Sequence, residues 1–138
     1  RMSTKLGYGT WGLSNQSYGK LKEHPLNLIK FAIKNNITFF DTAPLYGNGS
    51  VEKLIGCLDE KTRYKIKIST KCGMLPHSGF NMIQDFSEKQ LMEDLYLSLR
   101  RMNREYVDYW LLHSPNILKI NTKNNTQALI ELINEKSS

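Results

Sequence analysis

Cysteine is scarce in this chain. Only Cys57 and Cys72 occur among 138 residues, and no Cys-x-x-Cys spacing links them. Two thiols exclude a disulfide scaffold, and they have too few companion ligands for a zinc site, so no metal is expected. Reduced, partly buried thiols in a cytoplasmic protein are the expected state. Long apolar runs are missing as well. Nothing approaches the roughly 20 residues that a membrane span needs, and no N-terminal apolar segment marks a secretory signal. Neither a membrane nor an export route is expected, so the four Asn-x-Ser/Thr matches beginning at Asn15, Asn36, Asn48 and Asn124 carry no weight. Basic stripes interleaved with aromatics are also absent. The net charge is +6, but Lys and Arg are scattered and Arg100-Arg101 is the only tight pair, so nucleic acid is excluded as a partner. No linker or low-complexity segment divides residues 1–138, which read as a single domain. Arg1-Met2 reads as a remnant ahead of the natural start.

What the chain does contain is an alternation of short β-rich runs and helical segments. Lys5 to Gly9 predicts a first strand. His24-Pro25 suits a helix start, Leu28, Ile29, Ala32 and Ile33 follow at helical spacing, and Asn35-Asn36 suits its end. Ile37 to Phe40 is a continuous apolar, β-branched run of the kind buried on both faces of a sheet. Ser50 opens a second helix with Val51, Leu54, Ile55 and Leu58. Tyr64 to Thr70 predicts a third strand. Ser87 with Gln90 three residues on is a capping-box pattern ahead of Leu91, Leu95 and Leu99. Tyr106 to Leu112 predicts a fourth strand and Thr126 to Glu135 a fourth helix. Four β-then-α units imply a parallel sheet with helices outside. The longest irregular stretch, Cys72 to Phe86, is of a length that usually carries function or motion.

Ligands of parallel α/β proteins bind beyond the carboxyl ends of the strands. Asp41 follows the second strand, Lys71 ends the third and His113 follows the fourth, while Tyr46 lies five residues after Asp41. Taken singly, each has an ordinary explanation as a turn residue, a solvated lysine, a structural histidine or one of seven tyrosines. Their convergence on one rim does not. A lysine cation beside a phenol favours the phenolate and so makes the hydroxyl a better proton donor. A carboxylate beside the lysine keeps it charged and oriented, and a histidine can position a carbonyl oxygen or pass a proton. Such a set protonates a carbonyl while hydride comes from elsewhere, and no side chain supplies hydride. A nicotinamide cofactor is therefore implied.

Four blocks carry these residues: Leu6-Gly-Tyr-Gly-Thr-Trp-Gly12, Phe40-Asp-Thr-Ala-Pro-Leu-Tyr-Gly47, Ser69-Thr-Lys-Cys-Gly73 and Val107-Asp-Tyr-Trp-Leu-Leu-His113. In order and spacing they resemble the aldo-keto reductases, nearest the bacterial and potassium-channel-subunit-like branches. The resemblance implies an α/β fold, a parallel (β/α)8 TIM-type barrel, of which the first four β/α units would be present. It implies Tyr46 as general acid, Lys71 and Asp41 as its tuning pair, and His113 as orienter of the carbonyl. It also implies Gly9, Thr10, Trp11 and Asp41 as cofactor-binding residues, and Trp11, Tyr46 and His113 as substrate-binding ones. NADP (as NADPH) is the implied cofactor, with NAD as the variant, and a small carbonyl compound the substrate.

Three other readings fail. Gly7-Tyr-Gly-Thr-Trp-Gly12 matches G-x-G-x-x-G, but a dinucleotide fingerprint needs a full strand before it and a helix directly after. Short-chain reductases place their Tyr and Lys four apart on a helix, which Tyr46 and Lys71 do not. A hydrolase triad using Ser114 lacks a nucleophile elbow. A complete barrel of this type takes about 250 residues, so the chain is expected to be a fragment, to pair with a second copy or with a missing second half, or to be a truncated, non-catalytic binding module.

Overall fold

A computed structural model of the chain describes residues 6–16, 19–116 and 118. Four strands form one parallel sheet: β1 (Gly7–Gly9), β2 (Phe39–Asp41), β3 (Lys67–Cys72) and β6 (Tyr109–Leu112), in the order β1-β2-β3-β6. The register aligns Gly9, Asp41, Ser69 and Tyr109 across the sheet, and Lys71 with Leu111. Because side chains alternate along a strand, Phe40, Ile68, Thr70, Cys72, Trp110 and Leu112 share one face. Phe39, Asp41, Ser69, Lys71, Tyr109 and Leu111 share the other.

The helices α1 (Pro25–Lys34), α2 (Ser50–Gly56), α3 (Glu60–Lys65) and α4 (Glu88–Met102) connect the strands. Their apolar residues cover the first face. Phe40 and Ile68 are fully buried among Ile29, Val51, Ile55 and Met102, and a second cluster joins Cys72, Phe86 and Leu91. The helix starts follow the local chemistry. Pro25 occupies the first turn of α1, where its missing N–H costs nothing, and His24 Nδ1 accepts from Leu26 N at 3.2 Å. Ser87 Oγ accepts from Gln90 N at 3.3 Å. The reciprocal half of the capping box is replaced: the Gln90 amide donates to Asp94 Oδ1 instead, and Ser87 N donates to Asp85 Oδ1.

Several boundaries differ from the sequence reading. The expected third strand begins too early: Tyr64 and Lys65 belong to α3, whose start is capped by Asp59 accepting from Thr62 N at 2.9 Å. The Thr62 side chain first, and then that backbone hydrogen bond, hold the Asp59 carboxyl below its ordinary pKa. The second and fourth strands begin at Phe39 and Tyr109 rather than Ile37 and Tyr106, and Asp41 is the last strand residue rather than the residue after it. The first strand begins at Gly7; Lys5 lies outside the described residues, as does the whole helix expected over 126–135. The Cys72 to Phe86 stretch is not structureless, because β4 (Met74–Leu75) pairs antiparallel with β5 (Ile83–Gln84). Neither thiol is partly buried as expected: Cys72 is almost fully buried, and Cys57 at the end of α2 is exposed. Among the described residues no helix is long and apolar enough to cross a membrane.

Candidate active site

The carboxyl ends of β2 and β3 bring Asp41 and Lys71 onto the same face of the sheet. Lys71 Nζ lies 2.7 Å from Asp41 Oδ2, 2.8 Å from the Thr42 carbonyl oxygen and 3.3 Å from the Tyr46 hydroxyl. An ammonium carries three hydrogens, and three oxygens receive them. Since Lys71 donates to the Tyr46 oxygen, the hydroxyl's own proton is left for another acceptor. The Lys71 side chain is 15% exposed and that of Asp41 35%, so the pair lies at the edge of the protein interior, where water screens it less than on an open surface.

Tyr46 reaches this cluster from the turn between β2 and α2. Gly47, directly after it, has φ +60°, and a side chain there would strike the Ser50 hydroxyl. A glycine is therefore what allows the turn to close behind Tyr46. Gln16 Oε1 accepts from Gly47 N at 3.2 Å and ties this turn to the one that follows β1.

His113 follows β6, with its backbone N–H donating to the Cys72 carbonyl at 2.9 Å. Its ring stands nearly perpendicular to that of Tyr46, with centroids 6.2 Å apart. Burial pushes the His113 pKa below its ordinary value, and the charge of Lys71 adds to the shift, with Asp41 opposing it. The imidazole is thus neutral near pH 7. Nδ1 is buried with no partner among the described residues, which leaves Nε2 as the nitrogen open to a ligand.

All four expected residues meet. The three at the end of β1 divide. Thr10 is fully buried, and both its N–H and its hydroxyl donate to the Asp41 carbonyl at 2.9 Å. Its contribution is to anchor the end of β2. Gly9 and Trp11 face outward: nothing lies within 4 Å of where a Gly9 Cβ would be, and Trp11 is 42% exposed. A flat ring could approach the Gly9 backbone closely, with Trp11 at its edge, so these residues fit a nicotinamide. β1 is three residues long and runs into a 3₁₀ turn, with the next helix only at Pro25, so Gly7 to Gly12 does not form a dinucleotide-binding strand-turn-helix.

A cavity of about 230 Å³ opens in front of the cluster, lined by Trp11, Gln16, Leu45, Tyr46, Asn48, His77 and His113. Gln16, Asn48 and His77 escaped sequence reasoning because nothing in their local spacing points to the rim. The only hint for His77 was its place in the long Cys72 to Phe86 connection. Gln84, on β5, also escaped: its amide donates to the carbonyls of His113 and Ser114 at 3.3 and 2.8 Å and so fixes the segment that carries His113. A larger cavity of about 510 Å³ between α3 and the end of α4 contains none of the strand-end residues.

The sequence matches the family model for the Aldo/keto reductase family over residues 5–132. It is 35% identical over 112 residues to a probable aldo-keto reductase 1 of Glycine max, a match covering 80% of this chain and 32% of that protein. Among solved structures it is similar to an aldo-keto reductase from Bacillus halodurans in its holo form, with a TM-score of 0.80 at 26% identity over 95% of this chain and 42% of the other. A glycerol dehydrogenase from Gluconobacter oxydans gives a TM-score of 0.77 at 25% identity, covering 94% of this chain and 41% of that one. The chain spans about a third of the curated relative's length and about two-fifths of these two structures'.

Proposed function

The chain belongs to the aldo/keto reductase family, and on that premise we propose that it carries the proton-donating site of a nicotinamide-dependent carbonyl reductase. Its four parallel strands are read as the first half of a (β/α)8 barrel, with further strands adding beyond β1 and β6. The observation that carries the reading is the single lysine nitrogen shared by a carboxylate at 2.7 Å and a phenol oxygen at 3.3 Å. Tyr46 delivers its proton to the carbonyl oxygen. Lys71 stabilises the phenolate left behind, and Asp41 holds Lys71 in place. Neutral His113 donates a hydrogen bond to the same carbonyl oxygen and sets its approach to Tyr46. Gly9, Trp11 and Asp41 hold the nicotinamide, which when bound supplies hydride to the carbonyl carbon. NADPH is the cofactor expected from the resemblance, with NADH the alternative to be measured beside it.

The test has two parts. Cofactor fluorescence on titration should report binding to this chain, and no binding at millimolar concentration would overturn the reading for it. Tyr46→Phe should then lower carbonyl reduction about 100- to 10,000-fold, the usual contribution of a positioned general acid. Unchanged turnover would refute Tyr46 as the donor.

A further inference from the structure

The wall of the same cavity carries a second histidine. His77 belongs to the connection between β4 and β5, and its Nδ1 lies 3.0 Å from the Leu75 carbonyl oxygen. A carbonyl oxygen can only accept, so Nδ1 carries the hydrogen. In the neutral ring Nε2 is then a bare lone pair and can only accept. The other polar groups lining the cavity offer donors. The Tyr46 hydroxyl has its proton available, because its oxygen already accepts from Lys71. Gln16 uses its amide oxygen on Gly47 N, which leaves its NH₂. His113 supplies Nε2 as the nitrogen open to a ligand.

We propose that His77 is a substrate-positioning residue that selects carbonyl compounds bearing a hydroxyl on the carbon beside the carbonyl. The carbonyl oxygen meets the donors Tyr46 and His113, and the hydroxyl donates to His77 Nε2. A cavity of about 230 Å³ holds one small molecule within hydrogen-bond reach, about 3 Å, of the groups that line it. In an α-hydroxy carbonyl compound the two oxygens sit on adjacent carbons, so one molecule can offer its carbonyl oxygen to Tyr46 and His113 and its hydroxyl to His77. The inference rests on the reductase reading of this pocket and adds a preference that Asp41, Tyr46, Lys71 and His113 do not create.

The probes are hydroxyacetone and butanone, which differ by a hydroxyl in place of a methyl group. Imidazole NMR signals of His77 and His113 are followed while each ketone is titrated into the full chain. Hydroxyacetone should shift both histidines and bind about fivefold more tightly than butanone, the size of one neutral hydrogen bond. Butanone should shift His113 alone. His77→Asn keeps a donor for the Leu75 carbonyl but places nothing at Nε2, so it should lose the preference while still binding butanone. His77→Gln can place an amide oxygen near Nε2 and should recover part of it. Equal affinities in the wild-type chain, or a preference that persists in His77→Asn, overturn the role of His77 and leave the reductase reading standing. If neither ketone moves the His113 signal, both are overturned.

Discussion

Desolvation treats two side chains near the rim in opposite ways. Cys72 lies behind the sheet against Phe86 and Leu91, where burial, with Asp94 nearby, pushes its thiol up to about 12. A thiolate is the reactive form, so this sulfur is inert at pH 8, whereas exposed Cys57 is open to reagent. Iodoacetamide should therefore label one thiol per native chain and two after denaturation. Comparable labelling of both in the native chain would contradict the buried placement. His113 is pushed the other way, toward its neutral form, by burial and by Lys71. Its folded pKa lies below the unfolded value of about 6.5, so the unfolded state binds more protons in that interval. Stability contributed by neutral His113 is complete above about pH 6.5 and is lost as pH falls toward the lowered folded value. Thermal melts between pH 7.5 and 5 should show that decline, and His113→Gln should flatten it. A variant with the same slope as wild type would place the titration elsewhere.

Between elements, α2 packs tightly on the end of α4. A Cβ on Gly56 would collide with the Arg101 carbonyl, which belongs to backbone and cannot swing aside. Gly56→Ala is expected to cost about 1–3 kcal/mol, as overpacking does, seen as a lower urea midpoint with an unchanged slope. A neutral effect would mean that the two helices can separate freely. The same junction shows what the sequence leaves illegible. Starts of helices were readable from local chemistry, as at Pro25 and at Ser87 with Gln90. The Asp59 cap is equally local, but the β-rich look of Tyr64 to Ile66 obscured it, and the strand was expected too early. Glu52 is a different case. It sits on α2 as an ordinary polar residue, yet it is fully buried, accepting from Thr70 Oγ1 at 2.7 Å and from Arg101 Nε at 2.6 Å. Those partners lie 18 and 49 residues away, so no local pattern announces them. His77 and Gln84 were hidden for the same reason. Asp41, Lys71 and His113 were legible because a parallel sheet delivers strand ends to one rim whatever the intervening loops do.

At the scale of the whole molecule, the helices cover one face of the sheet and the described residues leave the other open. Phe39 and Tyr109 meet edge-on at 5.7 Å on that face, Tyr109 is 52% exposed and Leu111 47%. Among the described residues β1 and β6 have no outer neighbours, so their backbone groups also stand ready to pair. In a closed barrel such a face is interior, and burying it is favourable at about 25 cal/mol per Å² of apolar surface. A chain that presents it to water is driven to cover it, and a second copy offers the same open face and the same edges. The +6 charge opposes association but is screened within about 8 Å at physiological salt. Light scattering at tens of micromolar protein should therefore give a mass above that of one chain, rising with concentration. Tyr109→Lys combined with Leu111→Lys places two charges on the face and should return the mass to a single chain, with far-ultraviolet circular dichroism checking that the fold is kept. A wild-type chain that stays single across that range would show that a second copy does not cover this face. A folded double variant that still associates would move the contact to the strand edges.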